Sequence, residues 1–235
     1  LTGAFDHETG SVSVVIANDA VTEGQADPAY NQLWRSIDGG EWGLVADQIQ
    51  PNAAVTDYIP ALGTVNHYKV RTVSALPSVA ESDVLTIDTT DHRWWVWINA
   101  GPGFAQAVRV RDNATFTDSP KREKVTQQFA GRTRPVEFTG DQRTRALSLA
   151  ARLTAPNVAA EDQSSQQDEI EAVAELAAPA CIRTPMGHRY FVSTGAPAFD
   201  FKRVTVELAW SFEQIDYSEA LPAAEDDAEG EDDAA

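Results

Sequence analysis

A chain of 235 residues, 43 % hydrophobic with its apolar residues in short runs, holds enough material for one large or two ordinary domains. Its net charge of −18 disfavours nucleic acid as a partner, because phosphate binding needs a positive surface. No apolar run nears the roughly 20 residues that cross a bilayer, and the lone Cys181 excludes an internal disulfide or a thiolate metal cluster.

The charge is uneven. Residues 1–92 hold 13 acids against Arg35, Lys69 and Arg71, residues 93–216 balance 15 against 15, and residues 217–235 hold eight acids and no base. The neutral middle is therefore the better candidate for protein contacts. Leu1 opens the sequence and Met186 is its only methionine, which points to a longer precursor.

Residues 10–90 alternate short strand patterns with turn signals. Val12, Val14 and Ile16 share one strand face. Residues 33–36 and 41–45 form two runs joined through Asp38-Gly39-Gly40, a hairpin signal because glycine accepts positive φ. Across residues 67–74, Tyr68, Val70 and Thr72 alternate with Lys69 and Arg71, giving a strand with one buried face. Trp34 and Trp42 read as core or cross-strand partners, or as an exposed aromatic platform. Several short strands in about 80 residues suggest a β-sandwich.

The stretch LWRSIDGGEWGLVA followed by VTDYIPALGTVNHYKVRTVSA resembles a fibronectin type III domain. In that alignment the tyrosine-corner position falls on Asn66, and Tyr68 sits two residues later. The resemblance implies a β-sandwich over residues 1–90.

Beyond a polar joint at residues 88–92, WWVWINA is apolar on both faces and predicts a central strand. Its tryptophans, Trp94, Trp95 and Trp97, either fill two adjoining cores or turn one side to another subunit. Further strands are expected at residues 105–111, 125–130, 135–139, 146–153 and 188–194. A final strand over residues 204–212 is the clearest, with Val204, Val206, Leu208, Trp210 and Phe212 alternating against polar or small residues. A helix over about residues 165–178 follows from Ser165 three positions before Asp168 and the stripe Ile170, Val173, Leu176 and Ala177, with Pro179 ending it. The polar residues 156–167 read as an exposed loop, and the acidic segment 217–235 as unable to order itself unaided.

The search for reactive chemistry finds no constellation. His7, His67, His92 and His188 are spread without metal-ligand spacing, and neither a nucleophile elbow nor a phosphate loop is present. Glu137 and Glu207 point away from the expected core and read as solvated. Cys181 reads as a small buried hydrophobe. The expectation is a non-enzyme without cofactor or metal. Lys121, Arg122 and Lys124 form a local positive cluster, suited to an acidic partner segment or to a solvated loop.

Read together, WVWINAGPGFAQAVRVRDNATFTDSPKREKVTQQFAGRTRPVEFTGDQRTRALSLAARL and ACIRTPMGHRYFVSTG resemble a minor tail protein of tailed bacteriophages, of the kind found in phages of actinobacteria. The likeness covers about residues 30–216 and rests on the order of turn motifs: Asn-x-Gly-Pro-Gly, a basic hairpin, and Arg-x-x-Pro-Val-x-Phe-x-Gly. It implies a β-barrel or split sandwich with one helix over residues 93–216, in an all-β protein. It also implies a virion component near the tail tip or baseplate, repeated as a ring. The implied partners are copies of itself and the tail-tube, tape-measure and hub proteins, with no nucleic acid and no membrane. Trp94, Trp95, Trp97, Lys121, Arg122 and Lys124 are the candidate subunit contacts. A secreted glycan- or cell-wall-binding module is the alternative; it expects Trp34, Trp42 or Trp95 exposed in a shallow groove.

Overall fold

The computed structural model describes residues 1–20, 26–74, 78–92, 95–110, 114–153, 160–176, 179–202 and 205–217. Two-residue alternation builds the first part: Val12, Val14 and Ile16 are buried, while Ser13 and Val15 between them are exposed. Eight strands follow in order: β1 (Thr2–Asp6), β2 (Ser11–Val15), β3 (Pro28–Ile37), β4 (Trp42–Ile49), β5 (Ala54–Asp57), β6 (Val65–Ser74), β7 (Val79–Glu81) and β8 (Leu85–Asp88). One antiparallel sheet runs β1-β2-β5; the other runs β4-β3-β6, with β7 and β8 sharing the far edge of β6. Val12, Val14, Leu33, Tyr68 and Val70 fill the core between them. This is the expected sandwich.

The hairpin at Asp38-Gly39-Gly40 joins β3 to β4 as read. Asp38 and Gly39 take φ of 49° and 73°, the pair of positive values a type I′ turn requires. Asn66 supplies the corner link with an amide: it accepts from the Ala61 N–H at 3.0 Å and donates to the Ala61 carbonyl at 2.8 Å. Tyr68, two residues on, donates its hydroxyl to Asp57 Oδ2 at 2.7 Å.

The second part contains β9 (Val96–Ala100), β10 (Gln106–Val110), β11 (Thr115–Gln127), β12 (Val136–Arg152), α1 (Ala160–Ala174), β13 (Ala180–Arg183), β14 (Arg189–Thr194), β15 (Ala198–Phe201) and β16 (Val206–Gln214). They form one antiparallel sheet in the order β10-β9-β13-β14-β16-β12-β11, with β15 on β16 beside β14. All five residues of β9 are buried, as a strand apolar on both faces requires. One face of the sheet and Ile170 and Val173 of α1 share a single core that includes Ile98, Leu149, Ile182 and Trp210. No ladder joins β10 to β11 among the described residues, so hydrogen bonds do not close this sheet into a barrel. The whole is all-β with one helix.

Two elements differ from the reading. The helix begins at Ala160, so Ser165 lies inside it and residues 160–167 are helical rather than looped. Ala, Glu and Gln in that stretch propagate a helix well, and the capping pattern at Ser165 is not used. Residues 125–130 and 135–139 are not separate strands, because β11 and β12 run on unbroken through the basic cluster. Val204 and Ala177 lie outside the described residues.

Candidate assembly surface

β12 is 17 residues long, but only residues 146–152 pair with β16. Its other half, residues 136–145, pairs with β11 alone. Residues 119–145 therefore project as a two-stranded arm, about 34 Å long at the usual rise per residue. Nearly every described side chain along it is exposed. The arm bends at a bulge: Arg122 pairs with Arg143, while Lys124 pairs with Thr139. Gly140 sits in that bulge, where a Cβ would run into the Glu123 side chain. Pro120, the bulge and the abundant lysine and arginine blunt the open edges against indiscriminate strand pairing.

Two groups of side chains stand out on the arm. Toward the tip, Val125 is paired with Phe138, and Phe138 meets Phe129 edge-on at 6.2 Å. These three apolar residues are 47 %, 50 % and 42 % exposed respectively, an exposed apolar cluster on the arm. Along the shaft, Lys121, Arg122 and Lys124 are all exposed. Lys124 meets Glu137 at 2.9 Å and Arg122 reaches Asp141 at 4.0 Å, surface pairs worth about 0–1 kcal/mol. At the base, Arg145 bonds Asp118 at 3.2 Å and lies over the Tyr190 ring. The structure brings the three basic candidates together on one projecting element.

It does not bring Trp95 or Trp97 there. Trp94 lies outside the described residues. Trp95 is half-buried, with the Arg109 guanidinium 5.1 Å from its ring centre. Trp97 is 5 % exposed and is a contact within the chain, not a surface for a neighbouring subunit. Its ring packs against Gly10 and lies 5.6 Å from the Arg183 guanidinium. The apolar run before Arg183, with both faces buried, leaves that guanidinium nowhere wet to go.

Arg183 instead centres a buried junction between the two parts of the chain. It donates to the carbonyls of Gly10 and Pro60 and to Asn99 Oδ1, at 2.8 Å for the last. Asn99 in turn donates to the carbonyls of Tyr58 and Phe104. Arg189 donates to the Ile59 carbonyl, which Arg35 also bonds. Arg35 meets Asp57 at 2.5 Å, both side chains almost wholly buried. Burial alone would raise the Asp57 carboxyl, but Arg35 and the Tyr68 hydroxyl carry it below its ordinary value. Burial pulls Arg183 and Arg189 each down to about 10, which leaves them charged at neutral pH. Cys181, also fully buried, joins Ile59 and Phe104 in a small apolar cluster beside this network, and burial raises its thiol.

Sequence spacing missed one further group. His7 and His92 lie with ring centres 4.3 Å apart, and Phe5 packs against both. Nothing local links position 7 to position 92; the sandwich does. Glu137 and Glu207 are apart on the surface, Glu207 held by Lys202 at 2.5 Å. Trp42 is partly exposed with Lys69 over its ring at 4.9 Å, and Trp34 is half-buried. Among the described residues no three His, Cys, Asp or Glu converge to hold a metal ion, and no helix is long and apolar enough to cross a membrane. No protein-family model matches the chain, and a search of curated proteins finds none that is similar.

Proposed function

We propose that this chain is a structural subunit of a bacteriophage tail, placed near the tail tip or baseplate and assembling through contacts with copies of itself and with neighbouring tail proteins. The observation that carries the assembly reading is the arm. A two-stranded ribbon is at best marginally stable alone in water, and one that exposes Val125, Phe129 and Phe138 leaves apolar surface that a partner can bury. The resemblance of residues 30–216 to phage minor tail proteins supplies the setting. The junction suits the role mechanically, since a subunit that transmits load needs its two parts fixed to one another.

In this reading the arm of one copy lies on the next, head to tail, which closes a ring when the rotation per copy divides a full turn. Lys121, Arg122 and Lys124 steer the approach and the apolar tip supplies the desolvated contact. No cofactor enters such a mechanism. Electron microscopy of the purified chain, concentrated alone and with its neighbouring tail proteins, tests it: rings or tubes are expected. The variant Phe129→Ser/Phe138→Ser keeps its unfolding midpoint and loses those rings. A chain that stays monomeric at high concentration and beside tail proteins overturns the reading. Retention on host polysaccharide by such a monomer would favour the glycan-binding alternative instead.

A further inference from the structure

The chain carries its charge in two opposed blocks. Residues 119–145 hold seven lysines and arginines against three acids, a net +4 on a protein of −18. Residues 218–235 hold eight acids and no base. Arg122, Lys124 and Arg145 each have one carboxylate within reach, but the arm's cations outnumber its acids. Arg122 and Arg143 occupy directly opposed positions on β11 and β12, where like charges repel. Arg145 follows on the same face, two residues nearer the body. Lys121 and Arg143 make no ion pair among the described residues.

The chain's own end starts close to this arm. Glu213 of β16 pairs with Ala146 of β12, the residue at which the arm leaves the body. From there the Ile215 N–H bonds the Phe191 carbonyl, and Tyr217 packs on the Phe191 ring at 4.7 Å. Tyr217 thus lies four residues past the pairing at the arm's base, and a stretch of 18 residues spans up to about 60 Å when extended, well beyond the arm's length. A groove of about 470 Å³ opens at that base, with Lys121, Ser193, Thr194 and Phe212 among its walls.

We propose that residues 218–235 dock on the arm of the same chain, laying carboxylates over Arg122, Arg143 and Arg145, and that a neighbouring subunit displaces them on assembly. The inference rests on the arm being the assembly surface. It gives that surface a built-in anionic cover: a free subunit has its repelling cations screened, and only a partner that buries the apolar tip as well outcompetes the tether. Charge complementarity, the place where the described chain ends and the length that remains all favour the same copy, because a tethered segment is present at high effective concentration.

The test uses the full chain at micromolar concentration, an equal mixture of ¹⁵N-labelled and unlabelled protein, and a carbodiimide that joins amines directly to carboxylates. Mass spectrometry is expected to find Lys121 or Lys124 joined to acids between Glu219 and Asp233 in pairs of one isotope. At 0.5 M salt, or in Arg122→Glu/Arg143→Glu, those pairs should fall at least tenfold. Mixed-isotope pairs, meaning the tail of a second copy, overturn the proposal, as does the absence of any such coupling. A chain ending at Tyr217 should form rings at a tenfold lower concentration; unchanged ring formation overturns the covering role. If same-chain coupling is found and neither form assembles, the docking stands and the assembly reading fails.

Discussion

The junction and the arm use arginine in opposite ways. At the junction Arg35 and Arg183 are almost wholly buried and bonded to Asp57, Asn99 and the carbonyls of Gly10, Ile59 and Pro60. On the arm Arg122 and Arg143 face each other in water, with one distant carboxylate between them. The first arrangement ties the sandwich to the long sheet through buried hydrogen bonds. The second leaves charge unspent, as a surface awaiting a partner does. Burial and the supply of acceptors, not residue type, decide which outcome a guanidinium gives.

Breaking the junction should have the largest effect. Arg35→Met leaves Asp57 buried with only the Tyr68 hydroxyl and the Ile59 N–H, and should cost about 3–5 kcal/mol in urea unfolding. Arg35→Met combined with Asp57→Leu should recover much of that loss, since neither charge then remains. If Arg35→Met shifts stability by less than about 1 kcal/mol, the pair does not hold the two sheets of the sandwich together. Next in size is Gly10→Ala. Gly10 has φ of +63°, and a Cβ there would sit 2.9 Å from the Trp97 ring. Backbone strain alone is of order 1–3 kcal/mol, and the unfolding midpoint should fall accordingly. An unchanged midpoint would mean that Trp97 yields freely and the contact is loose.

These two sites also mark where the sequence ceased to be informative. Strand faces were legible wherever one side is wet and the other dry, as at Val12–Ile16 and in β16, because period-two alternation records that difference directly. The Asp38-Gly39-Gly40 turn was legible for an equally local reason. The arm was misread as separate short strands because a ribbon wet on both faces has no alternation to show. The destination of Trp97 was hidden differently. Its partners Gly10 and Arg183 lie far apart in the chain, and spacing does not encode contacts made by folding. Lys121, Arg122 and Lys124 lie together on the arm, since neighbours along a hairpin stay neighbours in space.

A smaller effect should appear with pH at the rim of the junction. His92 is held below the ordinary histidine value by burial first and by His7 second, with Asp91 and Asp88 opposing. Between that lowered value and about 6.5 the unfolded chain carries the additional proton. Stability therefore falls as pH drops through that window and is restored above about 6.5. The slope between pH 7.5 and pH 5 should be shallower in His92→Gln than in the parent chain. Parallel slopes would assign the acid sensitivity to other groups.

The smallest stability effect should accompany one of the largest functional ones, and it sharpens the contrast most. Arg143→Glu turns a like-charged cross-strand pair with Arg122 into an attractive one, worth roughly 0.2–1 kcal/mol in favour of the arm. The unfolding midpoint should hold steady or rise slightly. Ring formation should nonetheless weaken, because the substitution removes a cation that the proposed partner recognises and supplies in its place an acid within the arm. At the junction the same reversal, Arg183→Glu, would bury a carboxylate among carbonyls and unfold the chain. A variant that stabilises the free subunit and disables its assembly is the signature of a surface kept unsatisfied for a partner. If Arg143→Glu assembled as well as the parent chain, the arm's repulsion would have no bearing on assembly, and the apolar tip alone would have to account for it.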